Sequence, residues 1–244
     1  MDGLVGLGPW VWTTIFLAVT AGTLVQGLVG LGLGLLAAPV TVLVAPQLMP
    51  DMLLWLVLSL PLLTLVRDHE GVDWRGLGWV VPGRLPGIAL GVAAVAAFSD
   101  DALGVAVGLM VLLATLLTWR AVDIPVIRPT LLGAGLVSGF TGTTTSVGGP
   151  PVALLYQHRP PTQIRSTLAV YFVLGGVLSL AGLGLGGQLS AASALVAATM
   201  LPALALGTVL GRVLRERLSA ERVRPLVLLA CAASATTVLV VSLT

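Results

Sequence analysis

One run of the sequence concentrates groups that can bind a polar ligand inside an otherwise apolar chain: Gly139-Phe140-Thr141-Gly142-Thr143-Thr144-Thr145-Ser146-Val147-Gly148-Gly149-Pro150-Pro151. Thr143, Thr144, Thr145 and Ser146 offer four consecutive hydroxyl donors, and the glycines and prolines after them interrupt a helix. Backbone N–H groups freed where a helix restarts, with the helix dipole behind them, attract anions. The chemistry implied is capture of a small anion by neutral donors, without bond making or breaking. A paler counterpart lies at Gly27 to Pro39, with Gly30, Gly32 and Gly34 in alternation.

The candidate substrate contacts are therefore Gly142, Thr143, Thr144, Thr145, Ser146, Gly148 and Gly149 from one break and Gly32 and Gly34 from the other. Arg84 and Tyr171 are the polar side chains within spans that would join them. Each has a plainer reading. The hydroxyls can bond their own helix backbone or a neighbouring helix, and Gly32 and Gly34 can simply permit close packing. Arg84 sits about seven residues, or ~10 Å, into its span, near enough to snorkel to the headgroups. Tyr171 can be a packing residue.

Catalysis finds no support in the residues. There is no His-Glu-x-x-His pair and no Gly-x-Ser-x-Gly turn. Ser146 lacks an evident base, because His69 and His158 fall in loops. The single cysteine, Cys231, permits no internal disulfide or thiolate cluster. No cofactor, metal or nucleic-acid partner is called for. The expected partners are a small anionic substrate and the lipid bilayer, with a homo-oligomer as an open alternative.

The elements that must position these residues are membrane helices. Of 244 residues 57% are hydrophobic and 9% charged, with a mean hydropathy of +1.07; soluble domains carry about 25% charged residues. Apolar runs cover 10–29, 52–66, 77–98, 102–119, 130–142, 166–184, 189–211 and 225–243. The alternation of a β-barrel is absent. Asp2 and the lack of a basic residue before the first run argue against a signal peptide.

The two halves match. Leu24-Val25-Gln26-Gly27-Leu28-Val29-Gly30 aligns without gaps on Leu136-Val137-Ser138-Gly139-Phe140-Thr141-Gly142, an offset of 112 (136 − 24) that also carries Pro39-Val40 onto Pro151-Val152. Leu85-Pro86-Gly87-Ile88-Ala89-Leu90-Gly91 aligns on Leu201-Pro202-Ala203-Leu204-Ala205-Leu206-Gly207, an offset of 116 (201 − 85). The first repeat covers residues 1–119, a linker 120–129 and the second repeat 130–244.

Charge sets their orientation. All twelve basic residues are arginine, and basic loops stay cytoplasmic. The Arg67 to Arg75 loop corresponds to the uncharged stretch 186–189, and Asp100-Asp101 to the cluster between Arg212 and Arg224. The fold expected is an all-α polytopic membrane protein of two inverted repeats. Each is a Gly/Pro-broken helical hairpin plus three transmembrane helices, and both termini lie outside. Asp51, Asp100 and Asp101 fall on the outer face, the broken segments meet near the midplane, and no carboxylate lies deep in a span. Whether the broken segments are re-entrant or pairs of short spans stays open.

The stretches Gly30 to Pro39 and Gly142 to Pro151, the Gly71-Val72-Asp73-Trp74 loop and Arg165-Ser166-Thr167-Leu168-Ala169 give the chain a family likeness. It resembles the TauE/SafE family, the sulfite exporters, whose halves each open with a Gly-rich motif of G-x-G-G-x-x-x-x-P type. The resemblance implies export of sulfite or a small organosulfonate across a bacterial inner membrane. Thr143 to Ser146 replace the glycines of the second motif, and hydroxyls suit a sulfur oxyanion. An importer or channel for another small anion is the alternative.

Overall fold

The computed structural model describes residues 7–29, 32–65, 71–120, 124–215 and 220–243. Among them are eleven α-helices and no strand: α1 (Pro9–Val29), α2 (Leu33–Val44), α3 (Asp51–Leu65), α4 (Trp74–Ala97), α5 (Asp100–Arg120), α6 (Arg128–Thr145), α7 (Gly149–Tyr156), α8 (Pro161–Leu185), α9 (Ala191–Thr199), α10 (Leu201–Arg215) and α11 (Ala220–Leu243). In lipid every backbone polar group must find an internal partner, and helices do this within one segment. Five helices are long and apolar enough to cross a membrane, or six if α9 and α10 form one bent span. Many large apolar side chains, mostly Leu and Val with Trp10, Trp74, Trp79 and Trp119, are exposed, as a lipid-facing surface requires.

Both Gly-rich stretches break their helices where the sequence places the breaks. The first separates α1 from α2. The second separates α6 from α7: Ser146 closes α6 in the left-handed region at φ 61°, its N–H bonding the Gly142 carbonyl. It is the one non-glycine residue with positive φ among those described, a conformation that costs roughly 1–2 kcal/mol. Pro150, which has no N–H to lose, sits in the first turn of α7.

Helix packing crosses between the halves. The most extensive interface joins α4 to α6, and the next joins α1 to α10. α3 pairs with α8 and α5 with α11. The α4–α6 seam is built on glycine. A Cβ on Gly83 or Gly87 would collide with the Leu132 or Leu136 carbonyl, and one on Gly135 or Gly139 with the Val80 or Arg84 carbonyl. Small residues let membrane helices approach this closely. Gly207 repeats the device, its Cβ position 2.5 Å from the Thr20 carbonyl of α1.

Two expectations are corrected here. The apolar run 189–211 is not one straight span: it stops at Thr199, and α10 departs at 41° to α9. The Thr199 hydroxyl bonds the Val196 carbonyl at 2.7 Å, the Met200 N–H bonds both the Val196 and Ala197 carbonyls, and Pro202 supplies no N–H to carry the ladder onward. Asp51, read as a residue of an outer turn, is 2% exposed. It opens α3 and accepts from the Met52 and Ser190 backbone N–H groups. His69 lies outside the described residues, and His158 is exposed in the loop after α7. Cys231 is buried in the α11 core.

Candidate substrate site

The two breaks share one cavity. It is lined by Gln26, Gly32 and Gly34 from the first break, by Gly142, Ser146, Gly148, Gly149 and Pro150 from the second, and by Arg84, with Leu54, Val57 and Phe172 on the apolar side. Its open volume is about 50 Å³, room for a few waters. The space suits an ion of a few heavy atoms. The breaks touch directly, since a Cβ on Gly34 would lie 2.9 Å from the Ser146 carbonyl.

Arg84 supplies the charge. It does not snorkel: it is 4% exposed, because α4 is pressed so closely against α6 that its side chain is enclosed by α6 and α8. One terminal nitrogen, Nη1, donates to Ser138 Oγ at 3.1 Å and to the Tyr171 hydroxyl at 2.9 Å. Nη2 donates to Ser179 Oγ at 3.3 Å. The guanidinium carbon also lies 5.0 Å from the Tyr171 ring centre. Nε has no partner, and among the described residues Arg84 pairs only with neutral groups. A buried guanidinium with no carboxylate is costly to hold, and a bound anion would offset that cost.

α8 shapes the seat for this group. Tyr171, Gly175 and Ser179 fall at i, i+4 and i+8 on one helical face. Gly175 forms a notch between the two hydroxyls, since a Cβ there would lie 2.5 Å from Arg84 Cζ. Ser138 joins charge to break: its Oγ accepts from Arg84 and donates a short hydrogen bond to the Gly148 carbonyl. At the corresponding position in the first half, Gln26 Oε1 accepts from the Leu33 N–H at 3.0 Å and caps the start of α2. The starts of α2 and α7 therefore both face the cavity, presenting the positive ends of their helices.

The hydroxyl run divides. Thr144 and Thr145 bond the Phe140 and Thr141 carbonyls of their own helix at 2.8 and 2.7 Å. Thr143 shares a 2.9 Å hydrogen bond with Ser179, placing it one step behind Arg84. Ser146 lines the cavity, with its hydroxyl donated to the Pro50 carbonyl at 2.7 Å. Tyr171 is fully buried and reaches the cavity only through Arg84. Ser138, Ser179, Gly175 and Gln26 were not singled out from the sequence as contacts. Their one available signal was position: Gln26 and Ser138 occupy equivalent places in the repeat alignment.

Five helices apolar and long enough to span, two broken segments and a buried charge between them define a polytopic membrane protein. The model for the sulfite exporter TauE/SafE family matches residues 14–238, and the chain belongs to that family. A protein described as a probable sulfite/organosulfonate exporter TauE, from Cupriavidus necator, is 29% identical over 209 residues, covering 79% of each chain. No solved structure matches the chain.

Proposed function

We propose that this protein exports a small sulfur oxyanion, sulfite or a short organosulfonate, across a bacterial inner membrane, with the anion bound at Arg84 between the two breaks. The observation that carries the reading is Arg84 itself, a buried cation bonded only to neutral hydroxyls, on a cavity that two helix N-termini also face. One fixed positive charge suits a monoanion. Export of a monoanion from a negative cytoplasm runs downhill by about 2.3 kcal/mol per 100 mV, so a uniporter needs no coupled ion. The relative's printed name supports the substrate class.

The architecture is two inverted repeats, residues 1–119 and 130–244 joined by 120–129, with both termini outside. Exchanging the halves maps the α1–α10 interface onto α6–α4 and leaves α3–α8 and α5–α11 unchanged, as a two-fold relation demands. Inversion is supported by α8. Asp73, at the start of α4, donates its N–H to Thr167 in the second turn of α8. Ser190, at the start of α9, follows the last turn of that same 25-residue helix. The two equivalent elements thus begin at opposite ends of one span.

The test is flux in proteoliposomes under an imposed potential, with sulfite, sulfoacetate, taurine, sulfate and chloride compared for the wild type and Arg84→Gln. Selective sulfite or sulfonate flux that the substitution abolishes supports the reading. Flux indifferent to Arg84 moves the site elsewhere. Preference for chloride, or uptake only, favours the importer or channel alternative.

A further inference from the structure

A second cleft lies where α4 and α6 begin. Asp73, Arg75, Gly76 and Trp79 at the start of the first helix, Ile127, Arg128 and Pro129 at the start of the second, and Arg159 from the loop after α7 line an open groove of about 500 Å³. Three guanidinium charges against the single carboxylate of Asp73 leave the cleft at +2 (3 − 1). That carboxylate is already engaged, accepting from the Gly76 N–H at 2.9 Å and the Tyr156 hydroxyl at 2.9 Å. Among the described residues, neither Arg75 nor Arg159 has a side-chain hydrogen bond or ion pair. Arg128 stacks over the Trp79 ring at 4.9 Å. Arginines that only mark a cytoplasmic face need lie on the right side and no more. Here three separate elements deliver them to one cavity, and two helix N-termini open into it.

We propose that this cleft is a second anion site, which takes the headgroup phosphate of an anionic phospholipid. The phosphate is a planar-fork partner for guanidinium groups, and basic pockets between membrane helices hold such headgroups. The surface below the cleft decides for a lipid over a free ion. Trp74 and Ile127 are exposed on its rim, and Leu132, Leu136 and Leu85 continue as an exposed apolar track down α6 and α4, where acyl chains would lie. Arg75 and Arg84 are nine residues apart on α4, ~13 Å along the axis, so this site is separate from the cavity at the breaks and does not rest on the transport reading.

The experiment is lipid retention by the full chain, purified in detergent and followed by native mass spectrometry. Wild type is expected to keep one phosphatidylglycerol in preference to phosphatidylcholine. Arg128→Gln with Arg159→Gln should bind it at least tenfold more weakly, while Arg212→Gln with Arg215→Gln, on exposed positions of α10, should bind as wild type does. Equal retention by the cleft variant, or equal retention of the zwitterionic lipid, overturns the proposal. Displacement by equimolar inorganic phosphate overturns the lipid assignment and leaves a free-anion site. If the double variant aggregates, Arg159→Gln alone, on an exposed loop, is read by the same criteria, with a threefold loss expected.

Discussion

The sequence match sets α4 against the pair α9–α10, yet one is a continuous helix and the other is bent by 41°. Both contain the Leu-Pro-small pattern, at 85–87 and 201–203. Proline alone therefore does not decide the bend, because α4 runs through Pro82 and Pro86. The residues just before the pattern differ. Gly83 and Arg84 in α4 stand opposite Thr199 and Met200. Gly83 has no side chain and lies flat against α6, whereas the Thr199 hydroxyl draws back to the Val196 carbonyl and helps end α9. One half carries the charge on a continuous helix clamped to its neighbour. The other half, with an apolar Met200 buried in the core, supplies a bend instead. The two matched segments share a sequence pattern, and under the proposed reading the charge that binds the anion sits on only one of them.

The largest test of this contrast gives α4 its counterpart's residue. Arg84→Met should lower anion flux at least about 100-fold, since each hydrogen bond from a charged donor is worth ~1.5–3 kcal/mol and the variant has none to give. Near-normal flux would mean that the asymmetry is incidental. Next comes the notch. Gly175→Ala places a methyl at the Arg84 guanidinium and should reduce flux about tenfold or more. Gly133→Ala, whose added Cβ meets nothing within 4 Å, should be silent. Equal effects would show that glycine matters on these helices for reasons other than seating the charge. Ser179→Ala removes one acceptor from Arg84 and the partner of Thr143. A loss of about 1 kcal/mol, or roughly fivefold in flux, is expected, with sulfate and sulfite ranked as before. The smallest effect belongs to the other half. Met200→Leu conserves volume in a packed core and should cost less than ~1.5 kcal/mol of stability, with flux within twofold of wild type in the same vesicle assay.

The breaks were legible because glycine and proline act locally. Gly148, Gly149 and Pro150 end one helix and begin the next whatever surrounds them, and the structure interrupts the helix at 146–148 and again between α1 and α2. Cross-half packing was also foreshadowed by the internal alignment. The surroundings of Arg84 were not legible. Whether an arginine seven residues into a span reaches for water depends on how closely its helix meets another, which is a tertiary fact. How the hydroxyl run divides was likewise left open by the sequence. Thr144 and Thr145 bond their own helix at i−4, whereas the isolated Ser138 and Ser179, unremarkable in an apolar sequence, hold the guanidinium. The burial of Asp51 was not legible, because its backbone partner, Ser190, is 139 residues away.

The pairing of α1 with α10 also dictates when the protein can assemble. α1 is the first helix described here to leave the ribosome, and the partner that covers its Thr20–Leu24 face begins about 170 residues later (201 − 29 = 172). At a synthesis rate of roughly 5–20 residues per second, that face waits on the order of 10–30 s in the membrane before Gly207 arrives. The nascent chain must pass that interval with this face of α1 uncovered by α10, and an isolated first half would keep it uncovered.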